Sequence, residues 1–159
     1  MADLLTLTLK DDLMEFSSRL SSIGQVDQTT IRGWDPKQKQ ALIGEGREAN
    51  ITTKMGGSRS GSTVAKRAFG AAIGTTTDSP VMTQAEADAV AKAAINTSVL
   101  GFMTGEGLCV GRTDLRAGTV ITLAGLGRQF SGQYYVTAVS HRCGESGYTT
   151  RFTVRRNAV

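Results

Sequence analysis

His141 and Cys143 stand two residues apart in the stretch FSGQYYVTAVSHRCGESGYTTRF (130–152), which also holds all three tyrosines of the chain. On a strand, residues i and i+2 share a face, so an imidazole could take the proton of the neighbouring thiol and leave a nucleophilic thiolate. That chemistry needs an orienting acid and oxyanion donors as well, and spacing supplies neither. His141 is the single histidine of the sequence. A histidine that satisfies hydrogen bonds where a strand meets a turn is the preferred reading, and no catalytic residue, cofactor site or metal site is assigned.

Other chemistry is thinner. GGSRSGSTVAKRAFG (56–70) has the look of a phosphate-cradling loop but lacks the G-K-[ST] ending that places a lysine on the terminal phosphates. GLGRQFSG (125–132) does not open a helix, so it is no dinucleotide fingerprint. Cys109 and Cys143 lie far apart without C-x-x-C spacing, which excludes a cysteine zinc cluster and leaves two free thiols as the default. Lys and Arg outnumber Asp and Glu by 18 to 14, for a net charge of +4, a mild bias beside that of a dedicated nucleic-acid binder. Arg128 near Phe130 and Arg151 near Phe152 could serve a basic β-barrel nucleic-acid-binding module, the alternative function. Alternation sets Phe152 opposite Arg151 and Arg155, however, which separates stacking from phosphate contact.

The elements that position these residues are mostly strands. With 159 residues, 40% hydrophobic and 20% charged, the chain has one domain's worth of sequence and should fold. LLTLTLK (4–10) alternates strictly, and Met14, Phe16 and Leu20 share a face opposite Glu15, Ser17 and Arg19, which predicts two half-buried strands. A hairpin about Ile23 and Gly24 leads to a third, so that strands occupy about 3–34. The segment at about 37–79, rich in Gly, Ser and Thr and carrying Lys54, Arg59, Lys66 and Arg67, reads as a flexible basic insertion that orders only against something else. Thr83 and Glu86 form a T-x-x-E capping box that opens a helix over about 83–97, with Ala87, Val90, Ala91, Ala94 and Ile95 as its small apolar stripe. Glycine-bounded strands follow over about 98–156, the last three as a meander. The fold class is therefore α+β, mostly β: an antiparallel barrel-like sheet packed by one α-helix. No apolar run approaches the roughly 20 residues of a membrane-spanning helix.

YYVTAVSHR (134–142) carries apolar groups on both faces, which points to assembly. Tyr135 and Val139, with Arg151 and Arg155 on the neighbouring strand, are the candidate interface residues.

Four stretches, GWDPKQKQALIGEG (33–46), PVMTQAEADAVAKAAIN (80–96), LRAGTVITLAGLGRQFSGQYYVTAVSHR (115–142) and GYTTRFTVRRN (147–157), resemble in order the phage late control D and VgrG-like hub proteins of contractile tails and injection systems. The resemblance implies a single tube-like hub domain over 1–159 with a tail-tube-like barrel. It implies a structural baseplate role, in a ring that joins the inner tube to the central spike. Implied partners are other copies of the chain (a homotrimer in full-length hubs), the tail tube protein and spike or other baseplate proteins. Neither a membrane anchor nor specific nucleic acid is among them, and no cofactor is implied. Assembly would take place in the bacterial cytoplasm, as part of a virion tail or injection particle. The motif positions carried over as structural are Gly33, Trp34, Asp35, Pro36, Gly127, Phe130, Ser131, Gly132, Tyr134, Val136, His141, Gly147, Tyr148 and Phe152. Typical hubs carry a further tube-like domain, an oligosaccharide-binding-type domain and a spike, so this chain is expected to match a second tube-like domain or a reduced hub.

Overall fold

A computed structural model describes residues 4–51, 53–77, 80–145 and 147–159. The protein is mostly β, as expected, with a curled six-stranded sheet and a smaller three-stranded one. The large sheet has the order β1-β7-β8-β9-β6-β2, formed by β1 (Thr6–Thr8), β7 (Val120–Ala124), β8 (Gly132–Gly144), β9 (Gly147–Arg156), β6 (Met103–Val110) and β2 (Leu13–Leu20). All neighbours are antiparallel except β1 and β7. β1 and β2 sit at opposite edges, yet only four residues join them. A Leu9–Leu13 bridge draws the two edges together at one end and curls the sheet toward a barrel.

Apolar alternation fills the inside of that curl. Leu7, Leu13, Met103, Ile121, Leu123, Tyr134, Val136, Phe152 and Val154 are buried in one cluster. Rings lie over glycines here. A Cβ on Gly105 would overlap the Phe16 ring, one on Gly107 the Phe152 ring, and one on Gly111 the Tyr148 ring. Phe16 also meets Tyr134 edge-to-face at 5.9 Å between centroids. Each fully buried aromatic side chain contributes about 2–3 kcal/mol of transfer free energy.

The small sheet, in order β4-β3-β5, consists of β3 (Gln28–Asp35), β4 (Gln40–Arg47) and β5 (Ile73–Thr76). One face is covered by α2 (Gln84–Leu100), whose Thr83 side chain caps the Glu86 N–H. The approach is close because both sides are small: a Cβ on Gly44 would overlap the Ala87 carbonyl, and one on Gly46 the Ala91 carbonyl. Ile31, Leu42, Val81, Ala87 and Ala91 form this second core.

The structure corrects four expectations. No hairpin forms about Ile23 and Gly24, because β2 pairs with β6 while β3 pairs with β4 in the other sheet. The connection crosses between layers instead, held where Gln25 donates to the Ser98 carbonyl and Ser98 to the Gly24 carbonyl. Residues 37–79, expected as an irregular basic insertion, hold β4, α1 (Gly61–Phe69) and β5. They order against the rest of the chain: β4 and β5 pair with β3, α2 covers β4, and before α1 the Ser58 and Arg59 N–H groups donate to the Val159 carbonyl while Asn157 donates to the Thr53 carbonyl. Third, β2 is bulged between Leu13 and Glu15, which turns Leu13 inward and leaves Met14 exposed. Fourth, β8 is bulged between Val136 and Ala138. Strict alternation fails there, so Val139 lies opposite Phe152 and packs on the core, and Ala138 faces out. Val139 therefore leaves the candidate interface.

Candidate assembly surfaces

The reactive dyad does not form. His141 Nδ1 lies 3.0 Å from Thr150 Oγ1 and 3.1 Å from the Tyr148 hydroxyl. Its ring is tilted against Tyr148 at 6.0 Å. Cys143 is exposed, and Cys109 is buried inside the curl, where desolvation, with a smaller push from Asp12, raises its thiol to about 11. Among the described residues no group of three His, Cys, Asp or Glu side chains could hold a metal, and no helix is long and apolar enough to cross a membrane.

Most of the positions carried over by resemblance gather at two corners, while His141, Gly147 and Tyr148 lie at the β8–β9 hairpin. In the first, Ser131 accepts from Leu126 N–H through its hydroxyl and from Arg156 Nη1 through its carbonyl, at 3.1 and 2.9 Å. Tyr134 donates its hydroxyl to the Phe130 carbonyl at 2.7 Å. Arg156, buried beneath this loop, stacks over the Tyr134 ring at 5.4 Å. Burial pushes the Tyr134 phenol up, and Arg156 opposes that rise. Gly132 has φ 138°, and a Cβ there would meet the Arg156 guanidinium at 2.8 Å, so both torsion and space demand glycine. Gly127 and Gly147 also take positive φ at turns. Val136 and Phe152 are core residues, and Tyr148 covers Gly111. Sequence reasoning missed Arg156, which continues the inward face of β9 after Phe152 and Val154. Its signal was that register.

The second corner is the end of the β3–β4 hairpin. Asp35 Oδ1 accepts from the Lys37 and Gln38 N–H groups, which, with Pro36, sets the turn. Gly33 faces inward, where a side chain would collide with Val81. Trp34 points to the other face and is 57% exposed. Ala41 is its cross-strand partner and Ile43, 50% exposed, its diagonal neighbour. Beside them a shallow cleft of about 480 Å³ is lined by Trp34, Pro36, Pro80, Val81 and Met82. β5 pairs only with Gln28–Ile31, so among the described residues Arg32–Asp35 have no strand partner on that side. Asp27 N–H bonds Ala72 on the same side. By alternation Gly33 and Asp35 turn their backbone groups to this open edge.

The outer face of the large sheet is different in kind. Register places Arg19, Thr104, Arg155, Tyr135 and Val120 in one row across five strands, and Glu15, Leu108, Arg151 and Ser140 in another. The candidate interface residues Tyr135, Arg151 and Arg155 thus share a polar face, on a different sheet from Trp34.

No curated protein sequence matches the chain. Solved structures share its fold. The 43 kDa tail protein of prophage MuSo2 from Shewanella oneidensis superposes with a TM-score of 0.66 at 12% identity, over 96% of this chain and 43% of that one. The tail protein from Neisseria meningitidis MC58 gives 0.63 at 10% identity, over 96% and 44%. A chain of the gene transfer agent virion gives 0.54 at 16% identity, over 95% and 31%. The chain spans less than half the length of each of these proteins. At the level of sequence, the model described as the Alg8 N-terminal domain matches residues 1–145, and the chain belongs to that family.

Proposed function

We propose that the protein is a non-catalytic structural component of a phage tail or tail-like particle, and more narrowly part of a baseplate hub. In that role it forms a ring between the inner tube and the central spike, and its partners are further copies, the tail tube protein and spike or other baseplate subunits. Assembly takes place in the bacterial cytoplasm. The fold shared with tail proteins of two bacteria supports the coarser part of this reading. The hub role rests on the motif succession in 33–46, 80–96, 115–142 and 147–157.

The observation that carries it is the uncovered patch of Trp34 and Ile43 beside an open strand edge. A soluble monomer rarely leaves a tryptophan and a backbone edge unpartnered side by side, because together they invite strand addition by another chain. Strand pairing supplies direction and apolar burial supplies affinity.

Co-expression with a tail tube protein, followed by affinity purification and negative-stain imaging, tests the role. Ring-shaped particles containing both proteins are expected. Separate elution of the two proteins, with only single small particles in the images, would contradict it.

A further inference from the structure

The polar outer face of the large sheet collects unpaired positive charge. Arg19, Arg142, Arg151 and Arg155 are all exposed on it, against Glu15 and Glu106. Among the described residues, none of the four arginines makes an ion pair. Arg151 and Arg155 are four residues apart on one strand, roughly 13 Å, and Arg19 stands two strands from Arg155, roughly 10 Å. Three shallow troughs cross this face. Their volumes are about 270, 290 and 450 Å³, and Arg151, Arg19 and Arg142 are among the residues lining them.

Alternation along the chain sets Phe152 on the face opposite Arg151 and Arg155. Another ring is on their side: Tyr135, half-buried, lies directly opposite Arg155 on the outer face. A flat ring with one guanidinium beside it and others farther along the same face, on a sheet creased by troughs, can stack a base while the arginines meet the phosphates along the strand. The geometry points to this face as a sequence-independent site for single-stranded nucleic acid, with Arg151, Arg155, Arg142 and Arg19 on the backbone and Tyr135 on a base. Charge complementarity selects the occupant, since a polyanion is what four unpaired arginines on a polar face can hold.

The test is fluorescence anisotropy of a labelled 30-nucleotide oligothymidylate against the chain, titrated at several salt concentrations from 50 mM upward. Binding should weaken with salt, and log K should fall with log salt at a slope no steeper than about −2.8 if four phosphates are neutralised. The double variant R151A/R155A should bind at least tenfold more weakly and lose about 1.4 from the slope. Y135T should weaken binding roughly fivefold or more while leaving the slope unchanged. Circular dichroism melts of each variant establish that the fold is retained. R59A/R67A, on the other basic segment, should bind as the parent does. Absence of binding at 50 mM salt would overturn the assignment. So would loss of binding in R59A/R67A but not in R151A/R155A. Equal or tighter binding of a duplex of the same length would overturn the single-strand part, because a duplex hides its base faces from Tyr135.

Discussion

The two sheets solve the same problem, burying one face, by opposite means. The large sheet sinks aromatic rings over glycines and turns a charged face outward. The small sheet removes side chains from both partners, so that glycines on β4 meet alanines on α2, and leaves Trp34 and Ile43 in the open. In the first the aromatic rings of Phe16, Tyr134 and Phe152 are spent inside. In the second, close helix packing needs no bulk, and the bulk sits on the other side, free to meet another chain. Under the two proposals above, the large sheet serves polyanion contact and the small sheet assembly.

The largest expected effects come from attacking each core in its own terms. Phe152→Ala empties a space the curled sheet cannot fill and should cost about 3–5 kcal/mol. Gly44→Val does the reverse, forcing methyl groups into the Ala87 carbonyl, and should cost about 1–3 kcal/mol or more. Urea or thermal unfolding of both variants reads these costs. If Gly44→Val were neutral, the helix would not be seated on β4 as described.

A smaller effect concerns the N-terminus of α1, inside the 37–79 segment. Glu48 accepts from the Ser60 and Thr63 hydroxyls. The Thr63 bond comes first among the causes that hold its carboxyl below the usual range, and burial opposes it. The Ala72 N–H likewise comes first in lowering Asp27. Because both folded values are depressed, their stabilisation is present above the unfolded carboxylate range, near about 4. It is lost as pH falls through that range toward the folded values. Glu48→Gln should remove about 1–2 kcal/mol at neutral pH and flatten part of the acid limb of a stability-versus-pH profile. An unchanged acid limb in that variant would show that the carboxylate plays no such part.

Thiol labelling separates inside from outside without altering stability. Cys143 is exposed and should react with a maleimide in the native protein, whereas Cys109, buried and with its thiol raised to about 11, should react only after denaturation. Simultaneous labelling of both would contradict the curled core.

Much of this was legible in the sequence where local chemistry and tertiary packing agree. The T-x-x-E box at Thr83 and Glu86 opens α2, and the meander of β7, β8 and β9 follows from period-two alternation between glycine turns. Legibility fails where one residue breaks the period. The bulge at β8 cannot be seen in YYVTAVSHR, because Ala138 and Val139 are both apolar and either suits either face. That one insertion moved Val139 inward and dissolved the two-sided apolar strand on which the interface reading stood. β4 and α1 were hidden for another reason. Their glycines, serines and threonines carry weak propensity, and what fixes them lies far along the chain, in Ala87 and Ala91 for β4 and in Asn157 to Val159 for the approach to α1. Trp34 was visible as part of GWDP, but its exposure depends on Gly33 facing Val81, which only the fold decides.

The smallest effect on the fold and the sharpest on assembly should come from the Trp34 face. Trp34→Ser with Ile43→Thr changes two exposed side chains, so stability should move by less than about 1 kcal/mol. Sedimentation velocity of the parent and the double variant over a wide concentration range then decides the matter. A parent that associates as concentration rises, beside a variant that stays monomeric with an unchanged melt, is the predicted result. Identical sedimentation of the two, whether both associate or both remain monomers, would contradict the assignment of this face to assembly between copies.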